Sequence, residues 1–401
     1  MSRLMAAIAL LALARLVSFA WADPQAAAPA TKPMTSDQAF KNVRVLKGIP
    51  LDDFMGTMGV MTSSLAFDCS DCHSGAGTDT VNWAQDTARK AISRKMITMV
   101  ETINRDNFNG RQVVTCYSCH HGRDRPATTP SLEAVYGPGA TEMDDVLTQM
   151  PGQPPAEQII DKYIQAIGGA ERLAGLKSYI AKGTSVGFGG FGGGAQVTLY
   201  AQAPNLRTLI LDFKDTPSRG DTTRSYDGRA GWLRTPLNVL GEYELSGGEL
   251  DGTTLDAEMA FPGRIKQFLT NPRVSLPATI SDIPEPSSQA KDANVLIGQD
   301  RLVDVVQGTG PRGLLVTLYF DHESGLLVRL KRYAKSPIGR VATQVDYGDY
   351  RDVGGIKMPF RMTFAWFNGL DAIRLNEVRT NVSIDPGVFG KPAKAKSKGG
   401  D

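Results

Sequence analysis

The whole cysteine content of this 401-residue chain lies in two short runs, Cys69-Ser-Asp-Cys72-His73 and Cys116-Tyr-Ser-Cys119-His120. In each, two thiols are spaced Cys-x-x-Cys and a histidine follows at once. Two thiols on one helical turn can reach the two vinyl groups of a single macrocycle, while the next side chain points at its iron from the same side. The spacing is that of covalent c-type haem attachment, and it occurs twice. A pair of disulfides, or a zinc site of all-cysteine or mixed Cys/His type, are the competing readings. Neither requires a histidine directly after both pairs.

The amino terminus argues for export. Met-Ser-Arg is followed by an apolar stretch from Leu4 to Ala20, broken only by Arg15 and Ser18, and then by Ala20-Trp21-Ala22 before Asp23. Residues 1–22 therefore read as a secretory signal peptide with a small-residue cleavage site. The rival is an uncleaved anchor, for which the run is short and interrupted. With no second apolar stretch of bilayer length, no transmembrane anchor is expected after cleavage, and the mature protein is expected in the periplasm or otherwise outside the cytoplasm. Losing Arg3 and Arg15 takes the formal net charge from +2 to zero. Four haem propionates would make it mildly acidic, which argues against a nucleic-acid partner.

His73 and His120 read as proximal iron ligands, which leaves only His121 and His322 as distal candidates, whereas methionines precede both motifs. That shortage favours His/Met ligation. Leu51 to Phe67 reads as a helix following Pro50, with Met55, Met58 and Met61 three apart along one side. Trp83 to Asn104 reads as a longer amphipathic helix, with Ala88, Ile92, Met96, Met99 and Ile103 on its apolar face. Periodicity selects no single methionine for either haem, since a methionine stripe at helical spacing also suits core packing.

Several runs between Lys41 and Pro126 resemble the tetrahaem cytochrome subunit of photosynthetic reaction centres. They are Val45-Leu-Lys-Gly-Ile-Pro50, Met58 through Leu65 to Cys69, Met96-Ile-Thr-Met-Val-Glu-Thr-Ile-Asn104, and Val113-Val-Thr-Cys-Tyr-Ser-Cys-His120. The resemblance implies that each haem follows a helix that supplies an axial methionine, here Met58 and Met96, with Met55, Met61 and Met99 left as packing residues. Only two attachment motifs are present, and the family's usual arginine after the second histidine is replaced by His121. His121 reads as a solvent-facing or propionate-contacting residue. Arg111, Arg123 and Arg125 are candidates to neutralise propionates, or simply solvated loop residues.

Beyond Ala127 the composition changes. Residues 128–155, rich in Thr, Pro and Gly, suit a linker, and Ile159, Ile160, Tyr163, Ile164 and Ile167 form the apolar face of a helix stopped by Gly168-Gly169. Short β-type runs follow at Val197–Gln202, Arg207–Phe213, Val295–Ile297, Leu314–Phe320, Leu326–Tyr333, Val341–Tyr347, Phe360–Phe367 and Ala372–Val382, interrupted by a helical segment at Asp256–Leu269. The Gly187–Gly194 run reads as a hairpin tip, since it lacks the strand-to-helix setting of a phosphate loop. An opening helix and a meander ending in the run from Tyr347 to Phe360 resemble lipoprotein-carrier (LolA-like) domains, which implies an unclosed barrel over an apolar hollow.

The expected architecture is multidomain: a signal peptide (1–22), a flexible segment (23–39), a small all-α dihaem cytochrome c domain (40–127), a linker (128–155), an α+β domain with an antiparallel, unclosed β-barrel (156–391) and a disordered tail (392–401). No catalytic constellation emerges; His322 lies in a turn sequence without a nucleophile in view. The leading expectation is an electron carrier, not an enzyme, with two covalent haem c groups, a redox protein donor and acceptor, and a β domain that docks a partner or takes a lipid or quinone. The alternative is a haem redox enzyme or sensor, with one open iron site or a quinol- or lipid-binding β domain.

Overall fold

The computed structural model describes residues 33–393 except 79, 127, 130–145, 147, 188–193, 214–220, 236–240, 283–299 and 368. The expected signal peptide, the strand at Val295–Ile297, the centre of the Gly187–Gly194 run, and most of the linker and of the tail lie outside the described residues. From Pro33 onward the chain is one compact unit. Among the described residues, no helix is long and apolar enough to cross a membrane.

Among the described residues, five helices make up the cysteine-bearing segment: α1 (Ser36–Ala39), α2 (Leu51–Leu65), α3 (Cys69–Cys72), α4 (Ala88–Asn107) and α5 (Cys116–His120). Helix α2 starts at Pro50, carries Asp52 and Asp53 in its first turn, and stops where Ala66 turns left-handed (φ 55°). Helix α4 begins at Ala88 and not at Trp83. Thr87 takes the N-cap, its hydroxyl accepting the Lys90 N–H at 3.2 Å, and the Lys90 ammonium folds back onto the Trp83 and Gln85 carbonyls at 2.8 and 2.7 Å. Those bonds keep residues 83–86 out of the helix, with 83 and 84 in a turn.

Among the described residues, the remainder has four further helices, α6 (Ala156–Ala166), α7 (Ala170–Gly175), α8 (Gly247–Met259) and α9 (Ile265–Phe268), and a 14-stranded sheet. Six strands come before α8: β1 (Ser178–Gly187), β2 (Ala195–Gln202), β3 (Leu206–Asp212), β4 (Asp221–Tyr226), β5 (Gly231–Arg234) and β6 (Glu242–Glu244). Eight follow α9: β7 (Thr270–Val274), β8 (Ala278–Ile280), β9 (Arg301–Thr309), β10 (Leu315–Asp321), β11 (Leu327–Ser336), β12 (Gly339–Val353), β13 (Ile356–Trp366) and β14 (Gly369–Thr380). The spatial order is β6-β5-β4-β3-β2-β1-β14-β13-β12-β11-β10-β9-β7, with β8 also on β9, and every pairing is antiparallel.

Two meanders are thus sewn together at the β1–β14 pair, and the edge strands β6 and β7 do not pair with each other, so the barrel is unclosed. At the seam a bulge falls between Lys182 and Gly183, where a Cβ would stand 2.0 Å from the Arg374 carbonyl oxygen, so only glycine fits. The main core lies between helices and sheet: Ile160, Tyr163, Ile167, Leu255 and Ile265 pack on Phe320, Leu330, Val345 and Ile373. The helical interruption predicted at Asp256–Leu269 is instead α8, which begins nine residues earlier, and after it a short 3-10 turn leading into α9.

The start of α8 has a tertiary cause. Asp52 of α2 accepts the Ser246 N–H at 2.7 Å and the Ser246 hydroxyl at 3.2 Å, and Asp53 accepts the Gly248 N–H at 3.2 Å. Two carboxylates from the cysteine-bearing segment thus hold the N-terminus of a helix that packs on the sheet. The contact continues along α2. Val60 and Ile97 share a small core with Ile338 at the β11–β12 turn, Ser63 donates to the Phe367 carbonyl at 3.1 Å, and Gln112 donates to the Ser336 carbonyl at 2.7 Å.

Candidate functional site

Both attachment sequences fold as single helical turns closed by reciprocal caps. At the first, Asp68 accepts the Ser70 and Asp71 N–H groups at 2.7 and 3.3 Å, while Asp71 accepts the Asp68 N–H at 2.9 Å. At the second, Thr115 accepts the Ser118 N–H at 3.3 Å and Ser118 accepts the Thr115 N–H at 3.0 Å. One turn brings Cys69 and Cys72, with His73 next, together; the other does the same for Cys116, Cys119 and His120. All four thiols are free, and among the described residues no three His, Cys, Asp or Glu side chains converge on a metal-sized site. The geometry is that of two separate Cys-x-x-Cys-His turns.

Each histidine has its own setting. His120 donates through Nδ1 to the Arg123 carbonyl at 3.0 Å, so Nε2 is the ring nitrogen left to ligate a metal. The His73 ring lies edge-on to Trp83, with centroids 5.0 Å apart, and its Nδ1 is buried without a hydrogen-bond partner among the described residues. Burial, and then the Lys90 ammonium, push the His73 imidazolium down to about 4, so the ring is neutral at physiological pH. The neutral ring is the ligating form.

Two side chains missed by sequence reasoning as structural elements tie these turns to the helices. Thr87, the α4 cap, donates to the Cys72 carbonyl at 3.0 Å. Asn104, buried near the end of α4, donates to the Val114 carbonyl at 2.7 Å and accepts the Val113 and Val114 N–H groups at 3.0 and 2.9 Å. It thereby clamps α4 to the strand-like approach to Cys116. The Gly122 N–H donates to the Ser64 carbonyl at 3.0 Å, which fixes the far side of the second turn on α2.

The methionines divide by environment. Met61 packs in the small core with Val60 and Ile97, Met58 is half-buried on α2, and Met55, Met96 and Met99 are exposed. Helix α4 touches both attachment turns, and α2 packs on α5 as well as leading into α3. The buried face of α4 is Ile97, Val100 and Asn104. The stripe expected to be buried, Ile92, Met96 and Met99, lies roughly 100° round the helix and is open to solvent.

That stripe belongs to a wider pattern. Between residues 40 and 127 five large or branched apolar side chains are buried, Leu46, Leu51, Val60, Ile97 and Val100, against seven that are exposed, Met55, Trp83, Ile92, Met96, Met99, Val113 and Tyr117. A segment that exposes more large apolar groups than it buries lacks a core of its own, and an apolar macrocycle beside each attachment turn would supply one. The residues present fit two covalently held haems. Arg111, Arg123, Arg125 and His121 are exposed, His121 in the left-handed region (φ 48°) with its ring 5.3 Å from that of Tyr117. His322 lies in the β10–β11 turn, its Nδ1 2.8 Å from Asp304 Oδ1.

The family described as "Photosynthetic reaction centre cytochrome C subunit" matches residues 15–144. The chain is 35% identical over 105 residues to the photosynthetic reaction center cytochrome c subunit of Thermochromatium tepidum, covering 25% of this chain and 24% of that one. It is 32% identical over 96 residues to the subunit of the same name from Rubrivivax gelatinosus, covering 23% of this chain and 25% of the relative. The chain thus spans about a quarter of the length of the curated relatives it matches. Among solved structures, it is similar to a LolA superfamily protein from Nitrosomonas europaea (TM-score 0.35, 12% identity, 60% of this chain and 99% of that one). It is also similar to a putative outer membrane lipoprotein-sorting protein domain from Vibrio parahaemolyticus (TM-score 0.35, 10% identity, 58% and 94%).

Proposed function

We propose that residues 40–127 hold two covalent haem c groups and that the protein carries single electrons between a redox donor and a redox acceptor outside the cytoplasm. The observation that carries the reading is the surplus of exposed apolar side chains around two capped Cys-x-x-Cys-His turns. Bound haem c supplies reversible one-electron chemistry at its iron.

The chain's own residues set how that chemistry is used. Cys69 and Cys72, and Cys116 and Cys119, would hold the macrocycles through thioether bonds, with His73 and His120 as the proximal ligands. Met58 and Met96 would complete the two coordination spheres, which leaves no open position for oxygen or peroxide and favours ferrous iron. Such saturated sites suit electron carriage and not oxygen chemistry. The Arg123 carbonyl would fix the His120 ring, and burial together with the Lys90 ammonium would keep His73 neutral. The sheet domain, residues 156–391, would dock a partner or take an apolar ligand in its hollow.

The test is the intact mass of the exported chain together with near-infrared magnetic circular dichroism of its oxidised form. Two haem c masses and two sulfur-to-iron charge-transfer bands are expected, one lost in Met58→His and the other in Met96→His. A single haem, or a band that survives both substitutions, would overturn the count or the ligand choice.

A further inference from the structure

The hollow of the sheet domain contains a cation with nothing to answer it. A cavity of about 100 Å³ lies between α6, α7 and α8 and the sheet, its apolar wall including Leu173, Met259, Met362 and Phe364. Arg207 of β3 lines it and is only 8% exposed. Among the described residues its guanidinium has no hydrogen bond and no ion pair. Its nearest polar company is phenolic: it moderates the burial-driven rise in the Tyr179 hydroxyl, which stands at about 12, and likewise that of Tyr347.

The other charges at the cavity do not neutralise it. Asp256, the acid in the lining, is bound by Arg332 at 2.5 Å. Lys357 adds a second cation at the rim. A guanidinium held without a counter-ion in a largely apolar hollow is costly, and a ligand that brought the missing charge would offset that cost. Guanidinium geometry matches a carboxylate through two parallel N–H donors. The volume limits the rest of the ligand, because a cavity of about 150 Å³ is what benzene fills and this one is smaller.

We infer that this hollow is a binding site for a short-chain aliphatic monocarboxylate, its carboxylate on Arg207 and its alkyl end against the apolar wall. The inference deepens the reading of the sheet domain as a ligand-binding unit and is independent of the haems. A neutral lipid or a quinone would leave Arg207 unanswered.

The experiment uses the full haem-loaded chain at matched chloride concentration, with propionate and butyrate as probes and propionamide and butyramide as uncharged isosteres. Thermal unfolding and calorimetric titration are read together. The acids are expected to bind and to raise the midpoint by a few degrees at saturation, and the amides to do neither. In Arg207→Met the ligand-free midpoint should rise, since an unpaired buried charge is gone, while acid affinity falls tenfold or more. If amides and acids bind alike, or if a quinone analogue binds and the acids do not, the carboxylate assignment fails and the ligand-binding reading of the domain stands. If none of them binds the native chain, both fail. Should Arg207→Met not fold, the acid-against-amide contrast on the native chain decides alone.

Discussion

Asn104 does at the scale of one side chain what no periodicity argument anticipates. Its amide makes three hydrogen bonds to the backbone at Val113 and Val114, so α4 and the second attachment turn move as one piece. Replacing it by alanine removes three hydrogen bonds from part-buried backbone groups, which should lower stability by on the order of 1 kcal/mol. In Asn104→Ala the unfolding midpoint should fall, and the reduction potential of one haem should shift while the other holds. An unchanged potential would make Asn104 purely structural. The sequence offered Asn104 only as part of a family-like run, because a buried asparagine looks like a surface one until its partners are known. The Cys and His positions were legible because their chemistry is local, within one turn of helix.

Elements were legible in proportion to how local their boundaries are. Helix α2 was read to within two residues, since Pro50 and the left-handed Ala66 both lie in its own sequence. Helix α8 was misplaced because Ser246-Gly247-Gly248 looks like a loop until Asp52 and Asp53 arrive from nearly 200 residues earlier, the Ser246–Asp52 separation being 194. Strands β4 to β6 escaped notice for a related reason: they carry polar residues whose burial is made tolerable by partners such as the Arg224–Glu249 pair at 2.6 Å.

The α2–α8 contact has a pH signature. Burial, and next the nearby Glu249 carboxylate, push the Asp52 carboxyl from 3.8 up to about 7. Between those values the folded chain keeps a proton that the unfolded chain has released, so stability falls as pH rises through that window and then levels off. Asp371, raised to about 6 by burial, acts in the same direction. Between about pH 4 and about pH 7 the denaturant midpoints of the native chain should therefore fall relative to those of Asp52→Asn, because Asp53 and Asp371, raised by burial, and His73, lowered by it, are common to both proteins and cancel in the difference. Parallel curves for the two proteins would remove Asp52 as the cause.

At the scale of the whole molecule, the cysteine-bearing segment and the sheet are joined by more than a chain connection. The small core around Val60 and Ile97 is completed by Ile338, fully buried at the β11–β12 turn, and Gly56 lies so close to Val341 that a Cβ there would stand 3.0 Å from its methyl group. A segment that buries so few apolar groups of its own borrows stability from the sheet, and the two should unfold together. Soret absorbance and far-ultraviolet circular dichroism should then trace one denaturation curve in the native haem-loaded chain. Ile338→Ala opens a cavity in the shared core and should lower stability by about 2–5 kcal/mol, moving both signals together to lower denaturant. A Soret transition that precedes the dichroism transition in the native chain would show instead that the haem-bearing segment is held independently of the sheet. In that case Ile338→Ala should move the early transition alone, and the carboxylates of Asp52 and Asp53 on α8 would be the remaining link between the two parts.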